Sequence, residues 1–167
     1  RQAKKNLDIA GLGIKELIYR DDIATNYVLE ERCGGKVVGP SSRMQAEIGS
    51  GVTLIVGGAP DAAAPQVPKL VGFSAREAKN RLWEAGFNIG KITTGDGIDA
   101  LNEHEAKVYK QSPATGSRQA LGTQVRIWLT LDEEQLAKGH KQSDRDARAA
   151  AKALADSLEE AAFNNAE

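Results

Sequence analysis

The chain repeats itself, and the length of the repeat limits what it can fold into. Arg1–Leu17 reads RQAKKNLDIAGLGIKEL and Arg76–Ile92 reads REAKNRLWEAGFNIGKI. At an offset of 75 residues, seven of the seventeen positions are identical: Arg1/Arg76, Ala3/Ala78, Lys4/Lys79, Leu7/Leu82, Ala10/Ala85, Gly11/Gly86 and Ile14/Ile89. Downstream, IGSGVTLIV (48–56) resembles LGTQVRIWL (121–129) at an offset of 73. A period of this size is one small domain per repeat, so tandem modules come before any single large fold.

The second copy carries the fuller set of local signals. Ser74-Ala75-Arg76-Glu77 is a capping box, in which a Ser hydroxyl and a Glu carboxylate satisfy the first free N–H groups of a helix. Ala78, Leu82 and Ala85 then fall on one face of a short helix. Gly86 follows where a helix ends in the left-handed region, which glycine enters at little cost. Phe87–Ile92 reads as a strand, and Val108–Gln111 as another, ended by the turn residues Ser112-Pro113-Ala114-Thr115-Gly116. The last strand, Val125–Leu131, alternates: Val125, Ile127, Leu129 and Leu131 point one way, Arg126, Trp128 and Thr130 the other. One helix laid on one face of a small sheet buries both apolar sides. The spacing leaves open which face the helix covers. Trp128 is core if the helix covers its side; otherwise it is an exposed structural residue or a ligand contact.

These residues carry a family resemblance. VPKLVGFSAREAKNRLWEAGFNIGKI followed by KVYKQSPATGSRQALGTQVRIWLTL resembles a PASTA domain along its whole length. The ordered positions are Val67, Pro68, Gly72, Ser74, Ala78, Leu82, Gly86, Val108, Gln111, Pro113, Gly116, Gly122, Val125 and Ile127. The first copy departs from the pattern. The chain begins at Arg1 inside the helix, Glu31 stands where Gln is expected, and Cys33-Gly34-Gly35-Lys36 replaces the Pro turn. A longer excursion, Val37–Ala46, precedes its last strand. The expected architecture is α+β: tandem small units, each one helix on a three-stranded sheet, with a C-terminal helix. The expected boundaries are a truncated PASTA-like unit at 1–57, a Pro-containing linker at 58–65, a complete unit at 66–131 and a charged helical tail at 132–167. In the tail, Ser143-Asp144-Arg145-Asp146 is the expected helix start. Ala147, Ala151, Leu154, Leu158 and Ala162 form a thin apolar stripe, read either as a solvated helix or as a docking surface for a partner protein or a second copy of the chain.

Reactive constellations are missing from the sequence. Gly35-Lys36 lacks the remaining P-loop positions, with Glu30 and Val37 where Gly and Ser/Thr belong. Gly72-Phe73-Ser74-Ala75-Arg76 lacks the last Gly of a nucleophile elbow, and Ser74 is accounted for as a cap. The third residue after Ser74 is Glu77, so penicillin-type Ser-x-x-Lys chemistry is also excluded there. His104 and His140 are the two histidines, and zinc needs three or four convergent ligands. Asp96, Asp99 and Glu103 do not have the spacing of a calcium loop. No cofactor and no metal site is expected, and no enzymatic activity. Cys33, the one cysteine, sits in a Gly-rich stretch and is read as an inert thiol, with an unpaired reactive thiol as the alternative. A net charge of −1 argues against nucleic-acid binding, which needs a clustered basic face. There is no apolar run long enough to span a bilayer and no signal peptide.

What remains is recognition by surface. The resemblance implies a bacterial cell-envelope module on the periplasmic or extracellular side, tied to the membrane through an N-terminal anchor outside this chain. It implies an uncrosslinked peptidoglycan fragment, a muropeptide, as ligand. The expected contacts are Trp128 for a sugar ring and Arg126 or Arg118 for a stem-peptide carboxylate. The alternative class is a protein-interaction or spacer element without a small ligand, in the division or cell-wall machinery. Its parent would be a serine/threonine kinase or a penicillin-binding protein.

Overall fold

The computed structural model describes residues 1–59 and 63–166. By internal contacts the chain divides into two compact units, Arg1–Ala64 with Ala120–Gly122, and Pro65–Gln119 with Thr123–Glu167. The middle of the expected linker, residues 60–62, lies outside the described residues.

The first unit contains α1 (Gln2–Ile9), β1 (Gly13–Asp21), β2 (Val28–Cys33), β3 (Lys36–Val38) and β4 (Gly51–Gly58). Its sheet has the order β1-β4-β2-β3, with β1 parallel to β4 and the other neighbours antiparallel. The expected three strands are joined by a fourth. Gly34 and Gly35 both take positive φ (56° and 79°), the two-residue turn whose twist matches a β-hairpin, and Lys36–Val38 folds back onto β2. Glycines in place of the Pro turn therefore lengthen the sheet. Leu17, Val52, Leu54, Ile55 and Val56 form the buried part. No residue of α1 is fully buried.

In the second unit, α2 (Ala75–Ala85) precedes β5 (Asn88–Thr94), β6 (Lys107–Ser112) and β7 (Gln124–Thr130). The sheet order is β5-β7-β6, with β5 parallel and β6 antiparallel to the central β7. The repeat is visible in this topology. In both sheets the last long strand lies between a parallel and an antiparallel neighbour. The homologous pairs Ile14–Val52 and Ile89–Val125 occupy equivalent register positions.

The local chemistry of α2 matches its sequence signals. Ser74 accepts the Glu77 N–H at 3.3 Å, and Glu77 accepts the Ser74 N–H at 2.9 Å. Gly86 closes the helix at φ 91°, donating to the Leu82 and Trp83 carbonyls. Ala78 and Leu82 pack with Phe87, Val108, Val125, Ile127 and Leu129. The opening segment completes this core through Val67, Leu70 and Val71, all buried. It is held by the Gln111 side chain, whose Oε1 accepts the Leu70 N–H at 2.8 Å while Nε2 donates to the Pro68 carbonyl at 3.0 Å. The Ser112–Pro113 peptide is cis, and the turn it begins carries Thr115 and Gly116 back against that segment; the Gly116 N–H reaches the Val67 carbonyl.

The C-terminal helix α3 (Glu133–Asn164) begins ten residues before the expected start at Ser143. Asp132 caps it, accepting the Glu134 and Gln135 N–H groups. Its first half is not a free tail. Leu136 packs against the core. Buried Gly139 lies so close to the bulged edge of β6 that a Cβ there would run into the Tyr109 carbonyl. Ser143 is buried and its hydroxyl is 2.7 Å from that of Thr115, which also donates to Gln111 Oε1 at 3.2 Å. A helix laid over an edge strand protects it from pairing with other chains. The contact residues are Leu, Gly, His and Ser, so hydrophobic periodicity does not reveal this half of the helix.

These contacts generate two predictions. In an exposed helix, Gly→Ala gains up to about 1 kcal/mol. Gly139→Ala is expected to lose about 1–3 kcal/mol instead, because the methyl must displace the β6 backbone; urea denaturation measures it. Separately, hydrogen bonds from Ser74 hold the Glu77 carboxyl below its ordinary range, and the Lys69 ammonium does the same for Asp144. Both groups bind protons less readily folded than unfolded, so their stabilisation is present at neutral pH and is lost as pH falls through the folded values. Between about pH 5 and pH 3, the Glu77→Gln/Asp144→Asn variant should lose less stability than the parent.

Candidate recognition face

The sheet of the second unit has two unlike faces. Val125, Ile127 and Leu129 point toward α2 and have no exposed surface. The helix therefore covers their side, and Trp128 lies on the other, half-buried. This excludes the reading of Trp128 as part of the main core.

Around Trp128 the register assembles a small cationic surface. Trp128 is central on β7, opposite Thr93 of β5 and Lys110 of β6. The Lys110 ammonium is 4.7 Å from the ring centroid and the Arg126 guanidinium 5.7 Å. Both lie within the range where the negative face of an indole attracts a cation. Both cations are themselves exposed. Arg126 lies across Gly90; a Cβ at that position would be 3.3 Å from Arg126 Cγ, so glycine leaves the stem room to lie flat.

Sequence reasoning missed Lys110. Simple alternation puts Val108 and Lys110 on the same face. A bulge between these residues inserts Tyr109 into the ladder and inverts the facing of the positions after it. Val108 therefore enters the core, Lys110 joins Trp128, and Gln111 turns inward to hold the opening segment. The structure also removes Thr130 from this surface. It is buried, and its hydroxyl accepts the Asp132 N–H at the start of α3.

Arg118 is placed elsewhere. It is exposed in the segment after the Pro113 turn, where its backbone bridges to Gln66, and the residue opposite Arg126 on β6 is Ser112. The structure thus unites Trp128 and Arg126 of the expected contacts, adds Lys110, and leaves Arg118 off these strands. Trp83 is half-buried at the edge of the α2 stripe, with its indole N–H enclosed and without a partner among the described residues. Ser74 is occupied as a cap, accepting one backbone N–H and donating to Glu77 Oε2 at 2.9 Å. His140 covers Gly72, whose added Cβ would be 2.6 Å from the imidazole. Among the described residues, no three or more His, Cys, Asp or Glu side chains converge as metal ligands. No helix among them is long and apolar enough to cross a membrane.

Comparison with known proteins bears on this unit. No curated protein matches the chain. Among solved structures, the entire extracellular region of the Ser/Thr kinase PrkC from Staphylococcus aureus is similar at 21% identity and a TM-score of 0.30; the match covers 77% of this chain and 42% of that one. The three-PASTA-domain structure of a Ser/Thr kinase from Staphylococcus aureus is similar at 19% identity and a TM-score of 0.31, over 78% of this chain and 60% of that one. The chain thus spans about half the length of these structures. Residues 65–130 match the family model described as PASTA domain, an interval that takes in the opening segment, α2 and all three strands of the second sheet. This segment of the chain is a PASTA domain.

Proposed function

We propose that the second unit is a non-catalytic recognition module of a bacterial cell-envelope protein, working outside the cytoplasm on a membrane-anchored parent. Its ligand is an uncrosslinked peptidoglycan fragment. The observation that carries this reading is the half-exposed indole of Trp128 between two exposed cations. A sugar ring stacks on the flat aromatic face, and a stem-peptide carboxylate pairs with the Arg126 guanidinium, whose planar fork suits two parallel hydrogen bonds. Lys110 supplies a second positive charge without that directional demand. Arg118, away from the platform, is left to secondary contacts along a longer fragment.

Such a surface is shallow and solvent-screened, so one unit binds weakly and gains from repetition along a chain through effective concentration. The second reading is a protein-docking or spacer element. It draws on the exposed Leu158 at the far end of α3, which a wall ligand does not require.

Titration of the labelled chain with a defined muropeptide distinguishes them. The wall-binding reading expects amide shifts concentrated at Lys91–Thr93, Lys110 and Arg126–Trp128. Trp128→Ala should weaken binding about tenfold, or ~1.4 kcal/mol, within the range of ~0.5–1.5 kcal/mol attributed to aromatic pairs. Arg126→Lys should weaken it too, because an ammonium cannot replace the fork. Muropeptide producing no shifts on this face, while a partner protein shifts only α3, contradicts the wall-binding reading.

A further inference from the structure

The ring that a sugar would stack on already has an occupant in the free chain. Lys110 stands opposite Trp128 in the β6–β7 ladder, and its ammonium is 4.7 Å from the ring centroid. A ring stacked on an indole needs that same space. Trp128 is half-buried, so the ammonium and a sugar compete for the part of the ring that solvent reaches. Arg126 is placed differently. Its guanidinium is 5.7 Å from the centroid, and its stem is laid along Gly90, with Cγ 3.3 Å from where a Cβ there would stand. Arg126 borders the ring, whereas Lys110 covers it. Neither cation is neutralised: among the described residues no carboxylate forms an ion pair with either. Asp132, just beyond β7, is taken up as the cap of α3. Thr93, opposite Trp128 on β5, adds a hydroxyl and no charge.

We infer that Lys110 is a displaceable cover over Trp128 and sets the specificity of this face: it admits a sugar that carries a carboxylate and disfavours the neutral sugar. This role rests on the wall-binding reading and deepens it. A neutral sugar reaches the ring only by breaking the contact between ammonium and indole, and it leaves the ammonium to water. A carboxylate on the same ligand gives the displaced ammonium an ion pair within one swing of the side chain. Lysine suits this part. Its flexible four-carbon stem moves a compact charge with no fixed direction of approach, whereas the planar fork of a guanidinium dictates how its partner lies. Loss of an exposed cation–π contact weakens binding of the neutral ligand about threefold. An exposed ion pair strengthens binding of the anionic one by about the same factor. The two effects act in opposite directions, so Lys110 separates the ligands by about tenfold.

Two measurements on the whole chain test the inference. Without ligand, the ε-methylene protons of Lys110 should be shifted upfield by the indole, and Trp128→Leu should return them to the ordinary lysine position. A Lys110 methylene without that shift overturns the inference. With ligand, two disaccharide–dipeptides are compared, alike except that one ends in a carboxylate and the other in a carboxamide. Their affinities are followed through the indole N–H signal of Trp128. The parent chain should favour the carboxylate at least about tenfold. Lys110→Met keeps an unbranched stem and removes the charge. It should weaken binding of the carboxylate form about threefold and tighten binding of the carboxamide form about threefold, so that the preference falls about tenfold. Lys110 is exposed, so circular dichroism and unfolding temperature should not change. A parent chain without preference, or a variant in which both ligands weaken equally, overturns the covering role and leaves the wall-binding reading standing. If neither ligand moves the Trp128 signal, the wall-binding reading fails, and the specificity assigned to Lys110 fails with it.

Discussion

The second unit is organised around one inward-turned amide. Gln111 accepts the Leu70 N–H and donates to the Pro68 carbonyl, and its oxygen also receives the Thr115 hydroxyl. Thr115 in turn meets Ser143 of α3. Four separate stretches of chain — opening segment, β6, the turn after Pro113 and the C-terminal helix — thus share a single polar network. Such groups are costly to bury unsatisfied and strengthen one another when complete. The inward position of Gln111 depends on the β6 bulge, so a backbone irregularity decides both how the core closes and what the opposite face displays.

That coupling relates the fold to the proposed function. The bulge that sends Gln111 in sends Lys110 out, beside Trp128. α2 takes one face of the sheet and α3 takes the β6 edge, so neither helix covers the Trp128 face. The proposed recognition rests on shape, aromatic surface and charge, held by strands whose register is fixed by the core beneath them. The far half of α3 differs in chemistry, leaving Ala151, Ala155 and Leu158 exposed.

Much of this was legible in the residues because the signals were local. The capping box, the Gly86 stop, the alternation of Val125–Leu129 and the Pro113 turn each act within a few residues, and all appear in the structure. The homologous copies predicted related sheets, and equivalent register pairs are found in both. What escaped were long-range effects. The face covered by α2 depends on packing between elements. Lys110 reached the Trp128 face through a bulge that leaves no compositional mark. The early half of α3 docks through Gly139, His140 and Ser143, whose value lies in close approach and hydrogen bonding rather than in hydropathy. In the first unit, Gly34-Gly35 was seen as a departure from the Pro turn, but not as the hairpin that adds a strand.

Through the Gln111–Thr115–Ser143 network, α3 up to about Ala147 belongs to the same cooperative structure as the sheet it covers. Native-state hydrogen exchange measures this residue by residue. Amides of α3 from Leu136 to Ala147, together with Leu70, are expected to exchange only through the global opening that releases Ile127 and Leu129 at the centre of β7. Should those helix amides instead exchange as a frayed, independent helix while β7 stays protected, the polar network does not bind α3 to the domain, and the helix is an appendage rather than part of the fold.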